Sequence, residues 1–275
     1  MNPNTYTVVI PVLNQLRFTR QCVESLLAGG TPADAVLVID NASTDDTPAW
    51  LANEAGVPSI TNRVNLGCGG AWAQGSFHSQ ADWVVLLNND VIVPPNGMAD
   101  LLAAAEREGF DVVSPALLEG ALDYDFTTYA PGYVREMKAV TRTGWFHGVC
   151  FAIKRSVFET VGYPDTDRLL GGHEDKEYLV RCLRHGVRVG TVGATVLHHF
   201  GSITQKAMKK ESGAKSLGDR HHAYQRMGMG WWARKRFKAQ QRKQTEDWSR
   251  DESAAHGMTL HMLRENGGWR DAPYL

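Results

Sequence analysis

The first hundred residues alternate short, mainly apolar segments with segments of helical periodicity, and this alternation limits the fold more than any other feature. Thr7 to Leu13, Ala35 to Asp40 and Trp83 to Leu87 have the length and the aliphatic composition of buried strands. Leu16 to Leu27 carries apolar residues at helical spacing, and the glycine-rich segment 65–75 opens another helix. Apolar strands joined by helices predict an α/β fold, with a mostly parallel, Rossmann-like sheet covered by helices on both faces.

Polar residues follow these strands. Asn14 comes directly after the first strand, Asp40 ends the second, and Asn88-Asn89-Asp90 follows Trp83 to Leu87. In parallel α/β sheets, ligands bind beyond the carboxyl ends of the strands. A carboxylate flanked by amides can hold a divalent cation that also binds a diphosphate, although Asn and Asp are common in turns as well.

The remaining chain predicts a mixture of elements. Thr47-Pro48 predicts a helix start with Thr47 as the N-cap, and the Tyr- and Gly-containing segment 121–140 predicts strands and loops. After about Gln205 the pattern becomes basic and helical. Further helices are expected at Met98–Glu108, Lys154–Val161 and Glu174–His185. Further strands are expected near Ile60 and at Val112–Ser114, Trp145–Ile153, Arg188–Val192 and Thr195–His198.

The formal net charge of −1 conceals a strong segregation of charge. Between Lys206 and Lys243 there are 12 basic and two acidic residues, whereas the rest of the chain holds 17 basic and 28 acidic residues. This segment is therefore a candidate contact for an anionic partner, with a solvated basic helix as the alternative. Trp231-Trp232, within it, fits an interfacial anchor, a nucleic-acid platform or core packing.

Cysteine spacing and apolar run length indicate the compartment. The four cysteines lie far apart without a CxxC pair, which argues against a zinc ribbon or a disulfide scaffold and favours a reducing compartment. No basic region precedes the first apolar run, and the longest apolar runs are too short for a membrane span. We therefore expect a cytoplasmic protein without a signal peptide or transmembrane segment.

Seven ordered segments resemble glycosyltransferase family 2. TVVIPVLNQ, VIDNASTDDT, NLGCGGA and VVLLNNDVIVPP look like its nucleotide-binding half, and residues 148–162 look like the segment between its donor and acceptor sites. EDKEYLVR at 174–181 resembles its acidic motif with a downstream Arg, and HFGSIT at 199–204 resembles its late His-x-Gly-Ser element. The resemblance implies a GT-A domain at 1–205, divided into a nucleotide-sugar half (1–93) and an acceptor half (94–205). It leaves 206–275 as a basic helical extension.

The resemblance also implies the donor-site residues. Asp90 would coordinate a divalent metal, Mn²⁺ or Mg²⁺, and His199 would reach the metal or the diphosphate. The family's metal motif often begins with Asp, so the Asn88-Asn89-Asp90 triplet should bind metal more weakly and resembles a rhamnosyltransferase-like subgroup. Residues assigned to the nucleotide sugar are Pro11, Asn14, Asp40, Asn65, Gly67, Asn88 and Asn89.

On the acceptor side, the resemblance makes Asp175 the catalytic base and places Glu174 beside the acceptor. Trp145, which could stack on a sugar face, Gly148 and Arg181 are further acceptor-site candidates. A base and a metal suit direct, inverting displacement of a nucleoside diphosphate by an acceptor hydroxyl.

The acceptor itself is left open by the sequence. A glycan or lipid-linked glycan in polysaccharide biosynthesis would suit contact of 206–243 with an anionic membrane. The alternatives are a nucleic-acid acceptor, a non-catalytic nucleotide-sugar-binding protein, and a nucleotidyltransferase that releases pyrophosphate.

Overall fold

The computed structural model describes residues 5–212 and 216–272. Lys215 of the basic segment, and the extreme ends of the two predicted domains (1–4 and 273–275), lie outside the described residues. The strands are β1 (Tyr6–Val12), β2 (Val36–Asp40), β3 (Ser59–Thr61), β4 (Trp83–Leu87), β5 (Val91–Ile92), β6 (Val112–Gly120), β7 (Thr141–Thr143), β8 (Cys150–Lys154), β9 (Val189–His199), β10 (His261–Glu265) and β11 (Gly268–Asp271). The α-helices are α1 (Leu16–Ala28), α2 (Thr47–Asn53), α3 (Gly67–His78), α4 (Gly97–Glu108), α5 (Phe126–Met137), α6 (Arg155–Val161), α7 (Glu174–Arg184), α8 (Ile203–Ser212), α9 (Arg220–Arg226) and α10 (Trp231–His256). Short 3₁₀ helices occupy Ala33–Ala35 and Arg168–Leu170.

A single sheet connects the two halves of the chain. Its main strand order is β3-β2-β1-β4-β8-β6-β10-β11, and β9 pairs in parallel with β6 and carries β5 and β7. Pairing is parallel from β3 through β4, whereas β8 runs antiparallel to both β4 and β6. The α/β class is confirmed. The predicted parallel arrangement describes the first half, and the second half is mixed.

Helices cover both faces of the parallel part because neighbouring residues of β1 point to opposite sides. Val8 and Ile10 pack in the core cluster that contains Cys22 and Leu26 of α1. Val9 packs on the other face, where α3 approaches closely at Gly75. A Cβ at Gly75 would lie 2.2 Å from Val9 Cγ1, so only glycine permits this approach.

Segment 121–140 differs most from its prediction. Instead of strands and loops it forms α5, which begins at the N-cap Asp125. The Asp125 carboxylate accepts hydrogen bonds from the backbone N–H groups of Thr127 and Thr128. The buried residues Phe126, Ala130, Tyr133 and Met137 recur at helical spacing, and this period outweighs the unfavourable Pro131.

Other boundaries also differ from the predictions. β9 is one strand rather than two, and its partner β6 extends to Gly120, with a register shift between Pro115 and Ala116 absorbing an irregularity. β8 begins at Cys150, so Trp145 to Val149 is not strand. α2 begins at Thr47 itself with Asp46 as the N-cap.

The last seventy residues contain more than helices. After α8, α9 and α10, the chain forms the β10–β11 hairpin, and β10 pairs in parallel with β6. The predicted boundary near residue 205 stays a prediction, but the sheet is continuous across it. Within residues 5–212 and 216–272, no helix is both long and apolar enough to cross a membrane.

Candidate active site

A cavity of about 190 Å³ lies beyond the carboxyl ends of β1, β2 and β4. It collects residues that are distant in sequence because parallel strands end at one edge of the sheet. Seven of the predicted site residues line it: Pro11, Asn65, Gly67, Asn88, Asn89, Asp90 and Glu174. The predicted residues therefore make up part of the cavity lining, and their roles stay predictions.

Strained backbone surrounds this edge. Asn14 and Gln15 after β1, Ala42 after β2, and Ser202 after β9 all have left-handed φ angles, at 56°, 63°, 67° and 56°. Non-glycine residues rarely adopt this conformation, and such residues cluster at functional sites. Gln15, Ala42 and Ser202 are thus held in a backbone conformation that their residue types do not favour, whereas Asn14 tolerates it.

Asn14 does not line the cavity but fixes the loop that does. Its Oδ1 accepts hydrogen bonds from the N–H groups of Thr44, at 2.7 Å, and Asp45, at 3.3 Å. Its own N–H donates to Ser43 Oγ at 2.7 Å. Asn14 therefore joins the loop after β1 to the loop after β2.

Asp40 lies behind the cavity wall and is fully buried. Its Oδ1 accepts a hydrogen bond from the N–H of Ser43 at 2.9 Å, and its Oδ2 has no partner among the described residues. An unpaired buried carboxylate oxygen is costly without a ligand or water to satisfy it.

Asn41, which sequence reasoning missed, occupies the lining position next to Asp40. Its Nδ2 donates to the carbonyl of Gly67 at 3.1 Å, and its Oδ1 accepts from Asn62 Nδ2 at the same distance. Asn41 therefore connects the end of β2 to the start of α3. Its position at a strand terminus is a signal that could have identified it.

Asp90 and His199 form a buried pair beside the cavity. His199 Nε2 lies 3.4 Å from Asp90 Oδ1, and Asp90 Oδ2 accepts the N–H of Ile203 at 2.9 Å. Burial opposes ionisation of Asp90, but its contacts with His199 outweigh burial and lower the pKa of the carboxyl. Burial likewise opposes the charge on His199, but contacts with Asp90 and Glu119 raise its pKa to about 9.

Asp90 and His199 are the candidate metal ligands of the cavity. The N–H of Ser202 lies 3.2 Å from His199 Nε2, which accepts this hydrogen bond only in the neutral imidazole, the form that a metal ligand requires. Among the described residues no group of three His, Cys, Asp or Glu could hold a metal. The protein therefore offers one oxygen ligand and one nitrogen ligand, which suits a divalent ion that takes its other ligands from a bound diphosphate and water.

The adjacent carboxylates of Glu174 and Asp175, at the start of α7, have different surroundings. Glu174 is buried on the cavity wall, and its Oε2 accepts the N–H of Gly172 at 2.7 Å. Burial raises the pKa of Glu174, and the charge of Asp175 adds to the shift. Asp175 does not line the cavity. It packs against Gly148, where an added Cβ would lie 2.6 Å from Asp175 Oδ2.

The other acceptor-site candidates lie in two different places. Gly148 contacts Asp175, and Trp145 lies nearby as a partly buried member of the core beneath α7. Arg181 is held elsewhere. Its guanidinium pairs with Glu177, at 2.7 Å, and donates to the carbonyls of Val161 and Tyr163, which fixes α7 to the end of α6.

Arg168 is a second lining residue that sequence reasoning missed. It lies on the short 3₁₀ helix before α7, and its Cγ is 3.5 Å from the point where a Cβ on Gly67 would be. Its exposed guanidinium forms no ion pair among the side chains that the structure describes. A lone Arg in a predicted loop gave no signal, because its neighbours are brought to it only by the fold. Further lining residues come from the start of α8: Ser202, Thr204, Gln205 and Met208.

A family of known proteins, curated relatives and solved structures resemble this chain. The sequence model of glycosyl transferase family 2 matches residues 7–162. An N-acetylglucosaminyl-diphospho-decaprenol L-rhamnosyltransferase from Mycobacterium tuberculosis is 28% identical, over 73% of this chain and 80% of that protein.

Solved structures resemble the fold. GalNAc-T7 with UDP, GalNAc and Mn²⁺ superposes with a TM-score of 0.56 and 20% identity, over 72% of this chain and 44% of that one. The mannosyltransferase PcManGT from Pyrobaculum calidifontis, in complex with GDP-Man and Mn²⁺, has a TM-score of 0.56 and 21% identity, over 72% and 57%. This chain therefore spans about half the length of those two. The GT-A fold implied by the sequence motifs is confirmed.

Proposed function

The chain belongs to glycosyl transferase family 2, and on that basis we propose that it transfers a sugar from a nucleoside-diphosphate sugar to an acceptor hydroxyl with inversion. The observation that carries the proposal is the cavity at the strand ends. There, amides, a glycine-opened helix start and the carboxylate Asp90 converge within reach of Glu174. These are groups that bind a nucleotide and its diphosphate.

We assign the donor to this cavity. Asn65 and Gly67 let backbone approach the ligand closely, and the left-handed φ of Gly67, at 79°, is one that glycine adopts without strain. Pro11 and Asn41 contact the nucleoside, and Asp40, behind the wall, holds the loop after β2 through its hydrogen bond from the N–H of Ser43. Arg168 contacts the diphosphate, since a guanidinium matches phosphate oxygens in charge and geometry.

Asp90 and His199 would hold a divalent metal, Mn²⁺ or Mg²⁺, together with the donor diphosphate. A bound divalent ion would neutralise charge on the departing diphosphate. The Mn²⁺ in the two solved relatives supports this assignment without fixing the ion.

We propose Asp175 as the base. Glu174 is already bonded to Gly172 and buried on the donor side, and its raised pKa disfavours the ionised form. Asp175 is half-buried, its Oδ1 accepts the N–H of Lys176 at 2.8 Å, and its Oδ2 accepts no hydrogen bond from the described residues. The start of α7 also favours an ionised carboxylate there.

In the transfer step, the acceptor oxygen forms a bond to the anomeric carbon of the sugar as the bond from that carbon to the diphosphate oxygen breaks. Asp175 takes the acceptor's hydroxyl proton, and the nucleoside diphosphate leaves with the electron pair of the broken bond. Attack opposite the leaving group inverts the anomeric centre. Glu174 orients the sugar or the acceptor between the two sites.

The acceptor we propose is a sugar on a lipid carrier, as the name of the mycobacterial relative suggests for that protein. Such an acceptor lies at a membrane surface, and the basic segment 206–243 would contact anionic lipid there. Trp231 and Trp232, which are 55% and 74% exposed at the start of α10, fit an interfacial anchor. The name of the mycobacterial relative indicates a lipid-linked acceptor, so it gives no support to a nucleic-acid acceptor.

The test of function is transfer itself. Purified protein with Mn²⁺ is offered a panel of nucleotide sugars and lipid-linked sugars, and the released nucleotide is identified. A nucleoside diphosphate together with an elongated acceptor supports the proposal. Pyrophosphate release would indicate a nucleotidyltransferase, and tight donor binding with no turnover would indicate a non-catalytic protein.

The base is tested by comparing Asp175→Asn with Glu174→Gln. Because Asn cannot accept the proton, Asp175→Asn should lower the transfer rate by roughly 10²–10⁴ while donor affinity stays unchanged. Glu174→Gln is the matched control, one residue away on the same helix turn. A normal rate for Asp175→Asn beside a dead Glu174→Gln would move the base to Glu174.

A further inference from the structure

A second, open groove lies between α7, α9 and α10, and its walls are strongly basic. Five cationic residues line it: Lys176 from α7, Arg220 from α9, and Lys235, Lys238 and Arg242 from α10. His173, Tyr224 and Gln241 complete its polar lining, and no acidic residue lines it in the described part of the chain. We refer to these residues as the basic groove.

Most of the charges in the basic groove lack counter-ions. Lys176, Arg220 and Lys238 form no ion pair among the described side chains, and Arg242 has only a 3.8 Å contact with the exposed Glu246. Burial lowers the pKa of Lys238, and the nearby charges of Arg220, Arg234 and Lys176 lower it further. Like charges held together without partners raise the free energy of the folded protein unless an anion binds.

The basic groove begins at the first turn of α7, where the proposed base lies. His173 is the N-cap of that helix, and the N–H of Lys176 is bonded to Asp175 Oδ1 at 2.8 Å. Glu174, between them, faces the donor cavity instead. The donor cavity, the basic groove and the proposed base therefore all use residues of the first turn of α7 and its N-cap.

We propose that the basic groove binds the phosphate groups of the acceptor, which we infer is a sugar linked through a diphosphate to a lipid. This inference rests on the proposed function and specifies its acceptor. One sugar carries both the reacting hydroxyl and the diphosphate, so a base on the first turn of α7 and a cluster of cations from α7, α9 and α10 match its two ends. Trp231, whose ring centre lies 3.9 Å from Lys235 Nζ, and its neighbour Trp232 are exposed and are suited to the lipid, because indole rings prefer membrane interfaces.

Direct binding tests this inference without requiring turnover. The probe is decyl diphosphate, with decyl glucoside as the neutral counterpart, and a saturating nucleoside diphosphate fills the donor cavity. Titration calorimetry should show saturable binding of decyl diphosphate, weakened about tenfold or more in the Arg220→Gln/Lys238→Gln double variant, because charge-assisted phosphate contacts are lost. Arg236→Gln, an exposed charge on α10 outside the basic groove, is the matched control and should leave binding unchanged.

Three results would overturn the inference. Decyl diphosphate binding no more tightly than decyl glucoside would remove the phosphate subsite. Equal weakening by Arg236→Gln would mean unspecific surface charge. If a 20-nucleotide single strand or phosphatidylglycerol vesicles depend on Arg220 and Lys238 while decyl diphosphate does not, the surface serves nucleic acid or membrane instead. Absence of transfer to any acceptor would contradict the proposed function alone, since the binding result does not need catalysis.

Discussion

Gly148 is in contact with Asp175 although 27 positions separate them in the sequence. A Cβ at Gly148 would lie 2.7 Å from both Cβ and Cγ of Asp175. Cβ is fixed to the backbone of α7, so the carboxylate cannot avoid the clash by rotating alone. Gly148 does not line the donor cavity. Its missing side chain therefore determines where the carboxylate of Asp175 sits.

Gly148→Ala should consequently impair transfer without impairing donor binding. Displacing a catalytic group by about 1 Å can cost roughly 10²-fold in rate, and we expect a loss of that order. Steady-state transfer rates and the donor dissociation constant are the measurements. Gly132→Ala is the control, because a Cβ there has no neighbour within 4 Å, and it should behave as wild type. A fully active Gly148→Ala protein would contradict the assignment of Asp175 as the base.

Among the elements, α10 is held to the rest of the molecule in an unusual way. Of its 26 residues only Thr245 and Glu252 are buried. Glu252 forms a bidentate ion pair with Arg142 of β7, with both contacts at 2.7 Å, and also accepts the N–H of Leu260 at 2.8 Å. The buried ion pair is therefore a principal attachment of the helix, besides the packing of the partly buried Phe237 against the apolar cluster around Val180.

Glu252→Gln should strongly destabilise the fold because it leaves the charge of Arg142 buried without its counter-ion. Breaking a buried pair in this way costs about 3–5 kcal/mol of unfolding free energy, measured by urea denaturation. Glu246→Gln on the same helix breaks only an exposed 3.8 Å contact with Arg242 and should have no measurable effect. Equal effects of the two substitutions would mean that the Arg142–Glu252 pair does not hold α10 in place.

The predictability of each element depended on how local its signal was. β1, β2 and β4 were predicted closely because buried parallel strands are apolar throughout. The β10–β11 hairpin was missed although Asn266-Gly267 lies at its turn, where both residues have positive φ, at 51° and 74°. Asn-Gly is a strong hairpin signal, but the surrounding charged residues resemble the basic helices before it.

The predictability of the site residues also depended on how local their signals were. Asn88, Asn89 and Asp90 were identified because a strand end fixes their location. The different directions of Glu174 and Asp175 could not be assigned to a site from sequence, because the rotation of α7 is set by the packing of Tyr178, Leu179 and Cys182 beneath it. Arg168 was missed for a related reason, since its neighbour Gly67 is 101 positions away.

At the scale of the whole molecule, β10 extends the same sheet that contains the donor-site strands. Leu260, just before β10, is 1% exposed and packs with Tyr133 and Met137 of α5 and with Val196 of β9. The C-terminal residues thus share a core with the middle of the chain. We expect the sheet to unfold as one cooperative unit.

Leu260→Ala tests this expectation. Loss of a buried Leu side chain should cost about 2–5 kcal/mol and lower the temperature of a single transition, with equal calorimetric and van't Hoff enthalpies. Leu183→Ala on α7 removes a side chain that is 42% exposed and should shift the transition far less. Two transitions, of which only one responds to Leu260→Ala, would instead support an independent C-terminal domain.

The exposed indoles at the start of α10 have an optical consequence. The protein has eight tryptophans, and Trp231 and Trp232 are the two with exposed side chains. Because they are exposed, their emission should lie at the red edge of the spectrum and should be the part that a water-soluble quencher removes first. Lys235 Nζ also lies 3.9 Å from the ring centre of Trp231, so a change in that lysine's surroundings alters the same signal. The native chain thus carries an intrinsic fluorescence reporter beside the basic groove, whose blue shift records whatever covers that surface.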